Sequence, residues 1–216
     1  MLIPTVRYMN AKKSACDCRD QIFLAALDLF AQRGYSGTSL QEIVSAARVT
    51  KPTLYYYFKS KEGLFNALLD YAYEECFKRM RAAVTRQTGV EEQLTEMLTS
   101  LFNFLRERQN LTRLAFSCAY AAAGEMPVNP EIKEKRRRNF EFIHDVIKQG
   151  LAAGTLDDRL DSRDLAYGIY GALGFHVRAN LISPEMRLNR ATAKRIVTLF
   201  MNGAAKRDKT KPRSPR

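Results

Sequence analysis

Apolar positions recur at helical spacing along most of the chain, and no stretch alternates with the period of a strand. Ser14 and Asp17 form an S-x-x-D capping pattern. Behind it, Ile22, Ala26, Leu29 and Phe30 fall at i, i+4, i+7 and i+8. This first predicted helix stops at Gly34, a favoured residue just past a helix end. A second begins at Thr38 or Ser39, with Ser39 and Glu42 as a capping box and Leu40, Ile43, Val44 and Ala47 as its buried stripe. Arg48 and Val49 then make a tight turn. Thr50 as N-cap and Pro52 in the first turn open a third helix over residues 50–58, seated by Leu54 and Phe58. Two short helices joined by so short a turn form a helix-turn-helix, whose second helix enters a DNA major groove. Ser60 caps a fourth helix. Its apolar face runs through Phe65, Leu68, Leu69, Ala72, Cys76 and Met80 to about residue 86, about 39 Å at 1.5 Å per residue.

The remainder reads as more helix. Residues 91–108 carry Leu94, Met97, Leu98, Leu101, Phe102 and Leu105, and Asn110 caps the next helix. A loop covers 124–129. Asn129-Pro130 opens a helix that ends at Gly154, Ser162 caps one over about 163–182, and a last one covers about 190–202. The expected fold is all-α, with about nine to ten helices. The chain divides into an arm (1–13), a helix-turn-helix DNA-binding domain (14–60), a helical body (61–205) and a disordered basic tail (206–216).

Charge sharpens this division. The 216 residues carry a formal net charge of +12. Residues 1–61 hold nine Lys/Arg against four Asp/Glu, and residues 206–216 hold six against one, so the middle is nearly neutral. Such a distribution points to a polyanion at the N-terminal part. Cys16, Cys18, Cys76 and Cys118 form no C-x-x-C pair, and His144 and His176 lie far from them, so no metal and no cofactor is expected. Free thiols suit a reducing cytoplasm. No signal peptide and no apolar run of about 20 residues appears, which excludes a membrane span and implies a cytoplasmic protein.

Lys51 and Lys61 each stand at a helix N-terminus, where the macrodipole disfavours a cation, so an outside anion such as a DNA phosphate is implied. Thr53 offers a methyl and a hydroxyl to base edges, and Pro52 an apolar contact. Gln41, exposed in the first turn of its helix, can bond a base edge or a phosphate. Tyr56 points outward, whereas Tyr55 fits either the core or the surface, and Tyr57 packs within the head. One such head covers only part of a groove turn, so a homodimer on a near-palindromic double-stranded DNA operator is expected. Gly168, Gly171 and Gly174 lie three apart inside one helix, at about 1 kcal/mol each relative to Ala. A close partner helix would offset that cost, with Ile196, Leu199 and Phe200 completing the interface; packing within one subunit is the alternative.

The run Gly34-Tyr35-x-x-Thr38-Ser39-x-x-x-Ile43, with Val49-Thr50-Lys51-Pro52-Thr53-Leu54-Tyr55-Tyr56-Tyr57-Phe58-x-Ser60-Lys61-Glu62-x-Leu64, resembles the DNA-binding signature of the TetR family of bacterial transcriptional regulators. The resemblance spans roughly residues 18–70. It departs at Arg48, where the family usually has Gly; the turn is expected to be slightly re-formed rather than strained, with Arg48 able to reach a phosphate. By resemblance Thr38, Ser39, Tyr55, Tyr56 and Lys61 hold the DNA backbone, and Lys51, Pro52 and Thr53 read bases. The resemblance also implies that the body is a ligand-binding and dimerisation domain holding a small-molecule inducer. Phe102, Phe104, Phe116, Cys118, Tyr120, Phe140, His144 and Phe175 supply aromatic and polar groups for its pocket. Mostly apolar walls suit a flat or hydrophobic inducer, and Arg136-Arg137-Arg138 is a solvated face or a site for an acidic ligand. The implied function is a one-component regulator that represses as an apo dimer and is released by inducer. The alternative is a DNA-organising protein of the same kind without a ligand. An enzyme using Cys118 with His144 or His176 is not expected.

Overall fold

The computed structural model describes residues 18–122 and 125–204. Among them are nine helices and no strand: α1 (Cys18–Arg33), α2 (Leu40–Ala47), α3 (Lys51–Phe58), α4 (Lys61–Val84), α5 (Val90–Glu107), α6 (Gln109–Tyr120), α7 (Pro130–Ala152), α8 (Ser162–Ile182) and α9 (Arg190–Ala204). The chain is all-α. The Ser14–Asp17 capping pattern, the arm and the basic tail lie outside the described residues. Two compact units divide between Phe65 and Asn66, within α4.

In the first unit the capping chemistry sets the helix starts. Ser39 accepts from Glu42 N, and the Glu42 carboxylate accepts from Ser39 N at 2.8 Å. Each satisfies one orphan donor of the first turn. Thr50 caps α3, with Pro52 in its first turn. Gly34 ends α1 at φ 73°, a conformation open to glycine without a Cβ penalty. The buried stripes Ile22/Ala26/Phe30, Ile43/Val44/Ala47 and Leu54/Phe58 meet in one small core with Leu64 and Phe65. Phe30, Tyr35 and Phe65 close it with edge-on and tilted rings 4.8–5.8 Å apart.

In the second unit α5 packs on α7 and α9, α7 on α8, and α6 on α5 and α8. Two helix caps differ from expectation. Asp161, not Ser162, caps α8, because its carboxylate accepts from both Arg163 N and Asp164 N. Asn110 lies inside α6, which starts at Gln109 without a side-chain cap. A row of side chains joins α4 to the α7 end of the unit. Asn66 donates to Pro127 O and accepts from Asn129 N. Lys135 pairs with Asp70 and Glu74, Arg138 also reaches Glu74, and Asn139 donates to Tyr73 O at 2.9 Å. No helix among the described residues is long and apolar enough to cross a membrane.

Candidate functional site

The short helix α3 is seated by Leu54 and Phe58, which are 0% and 6% exposed. Four apart, they occupy one face and leave the rest outside. Lys51 and Pro52 are exposed, and so are Tyr55 (45%) and Tyr56 (73%). Tyr55 therefore belongs to the surface, while Tyr57 is half-buried against the rings of Tyr56 and Phe58. The Thr53 hydroxyl lies 2.8 Å from that of Thr50, so the helix cap and this predicted reader share one hydrogen bond. Gln41 is exposed and bonds Ser45. Ser39 is the cap of α2, with Arg33 reaching Glu42 beside it at 2.5 Å.

Arg48 occupies the left-handed region at φ 53°, where a glycine would be unstrained. The turn keeps its shape and the arginine bears the conformation. Its backbone N–H still donates to Ser45 O and Val44 O, and its side chain is exposed. Lys59, at φ 66°, turns the chain out of α3. Gly63 was not singled out from the sequence, yet a Cβ there would lie 2.1 Å from Phe58 O. Only glycine lets the end of α3 and the start of α4 approach so closely.

Two predicted backbone contacts are placed elsewhere. Thr38 is 2% exposed, and its hydroxyl donates to Gly34 O at 2.9 Å, so it closes the α1–α2 turn from inside. Lys61 donates to Tyr35 O and Thr38 O at 2.9 and 2.8 Å, and its ammonium lies 4.1 Å from the Tyr35 ring centroid. This ammonium, expected on a phosphate, clamps the α1–α2 turn to the start of α4. Its cost at a helix N-terminus is offset by two carbonyls and an aromatic face rather than by an outside anion.

The second unit holds a cavity of about 420 Å³ lined by α4, α5, α6, α7 and α8. Of the predicted wall residues, Phe104, Phe116 and Tyr120 line it. Phe102 is fully buried in the core instead, and Cys118 is packed away from the cavity. Phe140 stacks on Tyr167 and His144 outside it, and Phe175 is 69% exposed. His144 bonds Ser162 Oγ at 2.8 Å and Glu141 at 3.3 Å, pinning α7 to α8. It does not meet Cys118, whose thiol burial pushes up to about 11, the wrong direction for a nucleophile. The Ser162–His144–Glu141 arrangement also lacks the oxyanion donors of an acyl-transfer site, because Asp161 occupies the neighbouring amides of α8. Residues the sequence did not mark for the cavity include Tyr73, Cys76, Asn139 and Tyr170, all on the wall, and Arg136, read from the sequence as a solvated face or a site for an acidic ligand, lines it too.

Gly168 and Gly171 are exposed, and a Cβ at either would meet nothing within 4 Å. Packing within the protomer therefore does not require them. Gly174 faces only the Tyr120 hydroxyl, at 3.7 Å. Phe175 and Ile182 stand exposed farther along α8, and Leu199 on α9 is 77% exposed. Ile196, expected beside Leu199 at an interface, is 5% exposed and belongs to the core, and Phe200 packs against that core.

The helix-turn-helix carries the family match: residues 22–68 fit the model of the bacterial regulatory proteins of the TetR family. The chain is 31% identical over 113 residues to the uncharacterized HTH-type transcriptional regulator YuxN of Bacillus subtilis (strain 168), a match covering 52% of this chain and 37% of that protein. Among solved structures, a TetR-family bacterial regulatory protein from Rhodococcus RHA1 superposes with a TM-score of 0.74 at 20% identity, over 90% of this chain and 100% of that one. The transcriptional regulator FadR from Bacillus subtilis, solved in complex with stearoyl-CoA, gives 0.70 at 22% identity, over 85% and 98%. Residues 22–68 thus carry the helix-turn-helix of the TetR family of bacterial regulatory proteins, and the described helices share the fold of TetR-family structures almost end to end.

Proposed function

We propose that this protein is a homodimeric, one-component transcriptional repressor that binds a near-palindromic DNA operator and is released by a small-molecule inducer. The exposed face of α3 carries this reading. Lys51, Pro52, Tyr55 and Tyr56 stand out from a helix that Leu54 and Phe58 hold firmly. Lys51, Pro52 and Thr53 read base edges, while Ser39, Gln41, Arg48, Tyr55 and Tyr56 hold phosphates. Two heads related by a dyad give the operator its symmetry. The dimer forms through the Gly168 face of α8 and Leu199 of α9, where exposed apolar side chains and an unoccupied glycine surface have no use in the lone protomer; Gly171 and Gly174, on the same helix, also line the cavity.

The inducer occupies the cavity. FadR, a structural neighbour, holds stearoyl-CoA, which supports a ligand in this body. α4 supplies Ala72, Tyr73, Cys76 and Met80 to the cavity wall and is continuous back to Lys61. A ligand with unequal affinity for two α4 positions shifts the population of DNA-competent dimers by that difference. The test is selection of genomic fragments by the purified chain, followed by a salt titration on the selected site. A symmetric motif upstream of genes supports repression, and binding without sequence preference overturns it. A DNA-organising role without ligand is the competing reading. A 420 Å³ cavity with apolar walls disfavours it, and selected sites scattered away from promoters would favour it.

A further inference from the structure

Three neighbours of Arg136 are neutralised: Lys135 by Asp70 and Glu74, Arg137 by Glu134, and Arg138 by Glu74. Arg136 has no ion-pair partner among the described residues, and it is the one charged side chain on the cavity wall. The hydroxyls of Tyr73 and Tyr170, also on the wall, have no hydrogen-bond partner among the described residues. Arg136 favours the ionised form of both tyrosines, which puts its guanidinium within electrostatic reach of both hydroxyls. Burial nonetheless raises both hydroxyls above their ordinary value, so they stay protonated and can donate. The cavity wall thus carries a forked cation and two O–H donors without a paired acceptor, beside the unpaired Oδ1 of Asn139. Most of the rest of the wall, including Met80, Leu101 and Phe104, is apolar, with Thr112, Tyr120 and Asn139 as further polar positions.

We propose that the cavity binds an amphipathic monocarboxylate, its acid held by Arg136, Tyr73 and Tyr170 and its apolar body laid along the inner wall. This rests on the reading of the cavity as the inducer site. A carboxylate accepts bidentately from a guanidinium and has lone pairs left for both hydroxyls. A single cation neutralises a single negative charge, and among the described residues the wall offers no second cation for a dianion. A neutral apolar molecule of the same shape would leave the donors unpaired, a loss that discriminates strongly between otherwise similar ligands.

Isothermal titration of the full-length protein with dodecanoate and dodecanoyl-CoA below their micelle concentrations, and with 1-dodecanol below its solubility limit, tests this. Dodecanoate is expected to bind at least tenfold more tightly than dodecanol. Arg136→Gln should weaken dodecanoate at least tenfold and leave dodecanol within twofold, and the unchanged alcohol affinity shows that the variant is folded. Equal affinity for acid and alcohol, an equal loss of both in Arg136→Gln, tighter binding of the thioester than of the acid, or no binding of any of the three overturns the proposal. The same titrations made on operator-bound protein separate the two levels. Release of DNA by dodecanol as readily as by dodecanoate keeps the inducible repressor and removes the carboxylate. Absence of any sequence-specific DNA binding removes the repressor itself.

Discussion

The ammonium of Lys61 lies 2.8 Å from the carbonyl oxygen of Thr38, and that contact makes a lysine at the mouth of α4 part of the fold. With Tyr35 O as its second acceptor, it ties the α1–α2 turn to the helix that follows the reading helix. Lys61→Met should cost about 2 kcal/mol of stability, the usual range for hydrogen bonds to a charged group. It should leave the salt slope of the remaining DNA binding unchanged. Thermal melts and a salt titration check both; a slope reduced by about one unit at an unchanged melting temperature would put Lys61 on a phosphate instead.

Arg48 carries a conformation that glycine adopts freely. Arg48→Gly should raise stability by about 1 kcal/mol through relief of the left-handed strain, read as a higher denaturation midpoint. If Arg48 also holds a phosphate, the same variant lowers the salt slope by about one unit while it gains stability.

Acid should loosen the first unit through Glu42. Its carboxyl is held below the ordinary value of 4.5, mainly by the Ser39 backbone N–H, then by the Ser39 hydroxyl and Arg33. A carboxyl depressed in the folded state stabilises above its unfolded value and loses that contribution as pH falls through the folded one. Stability followed by circular dichroism should therefore decline from about pH 4.5 downward, and Glu42→Gln should flatten that decline. An unchanged acid limb in the variant would mean that the capping box is not responsible.

Gly168→Ala separates the protomer from the dimer. The protomer has room for the methyl, and alanine is the better helix former by about 1 kcal/mol. A chain that works alone would gain stability; a dimer packed on that face should lose affinity between subunits. Leu199→Glu should act likewise, producing monomers in sedimentation velocity without unfolding them, since Leu199 is 77% exposed. A dimer that survives both changes places its interface elsewhere.

The first three helices were legible because local chemistry decides them. Ser39, Glu42, Thr50 and Pro52 act within three residues of themselves, and each apolar stripe has one core to face. The Lys61 clamp was not legible because its partners lie 26 and 23 residues back in the chain, beyond any local pattern. Gly63 was missed for the same reason: its necessity comes from the carbonyl of another helix. In the body, helical periodicity separates inside from outside but not a core position from a cavity wall. Phe102 and Phe104 sit on one apolar helix, and only the filling of space by α6, α7 and α8 makes the second a wall residue. Ile196 and Leu199 are divided likewise between core and surface. Among four consecutive cations, Arg136 stands apart only because its neighbours find carboxylates.

The side chains of Asn66, Asp70 and Glu74 follow one another at intervals of four residues along α4, and all engage the start of α7 or the loop before it. They work as the teeth of a rack. A slide of α4 by less than a full turn, about 5.4 Å, disengages every tooth at once. Tilting α4 and α7 together disengages none. Ligand-driven movement of α4 should therefore be a swing of the two helices as one stiff beam, and neutralising Asp70 and Glu74 together would uncouple that beam without touching the cavity.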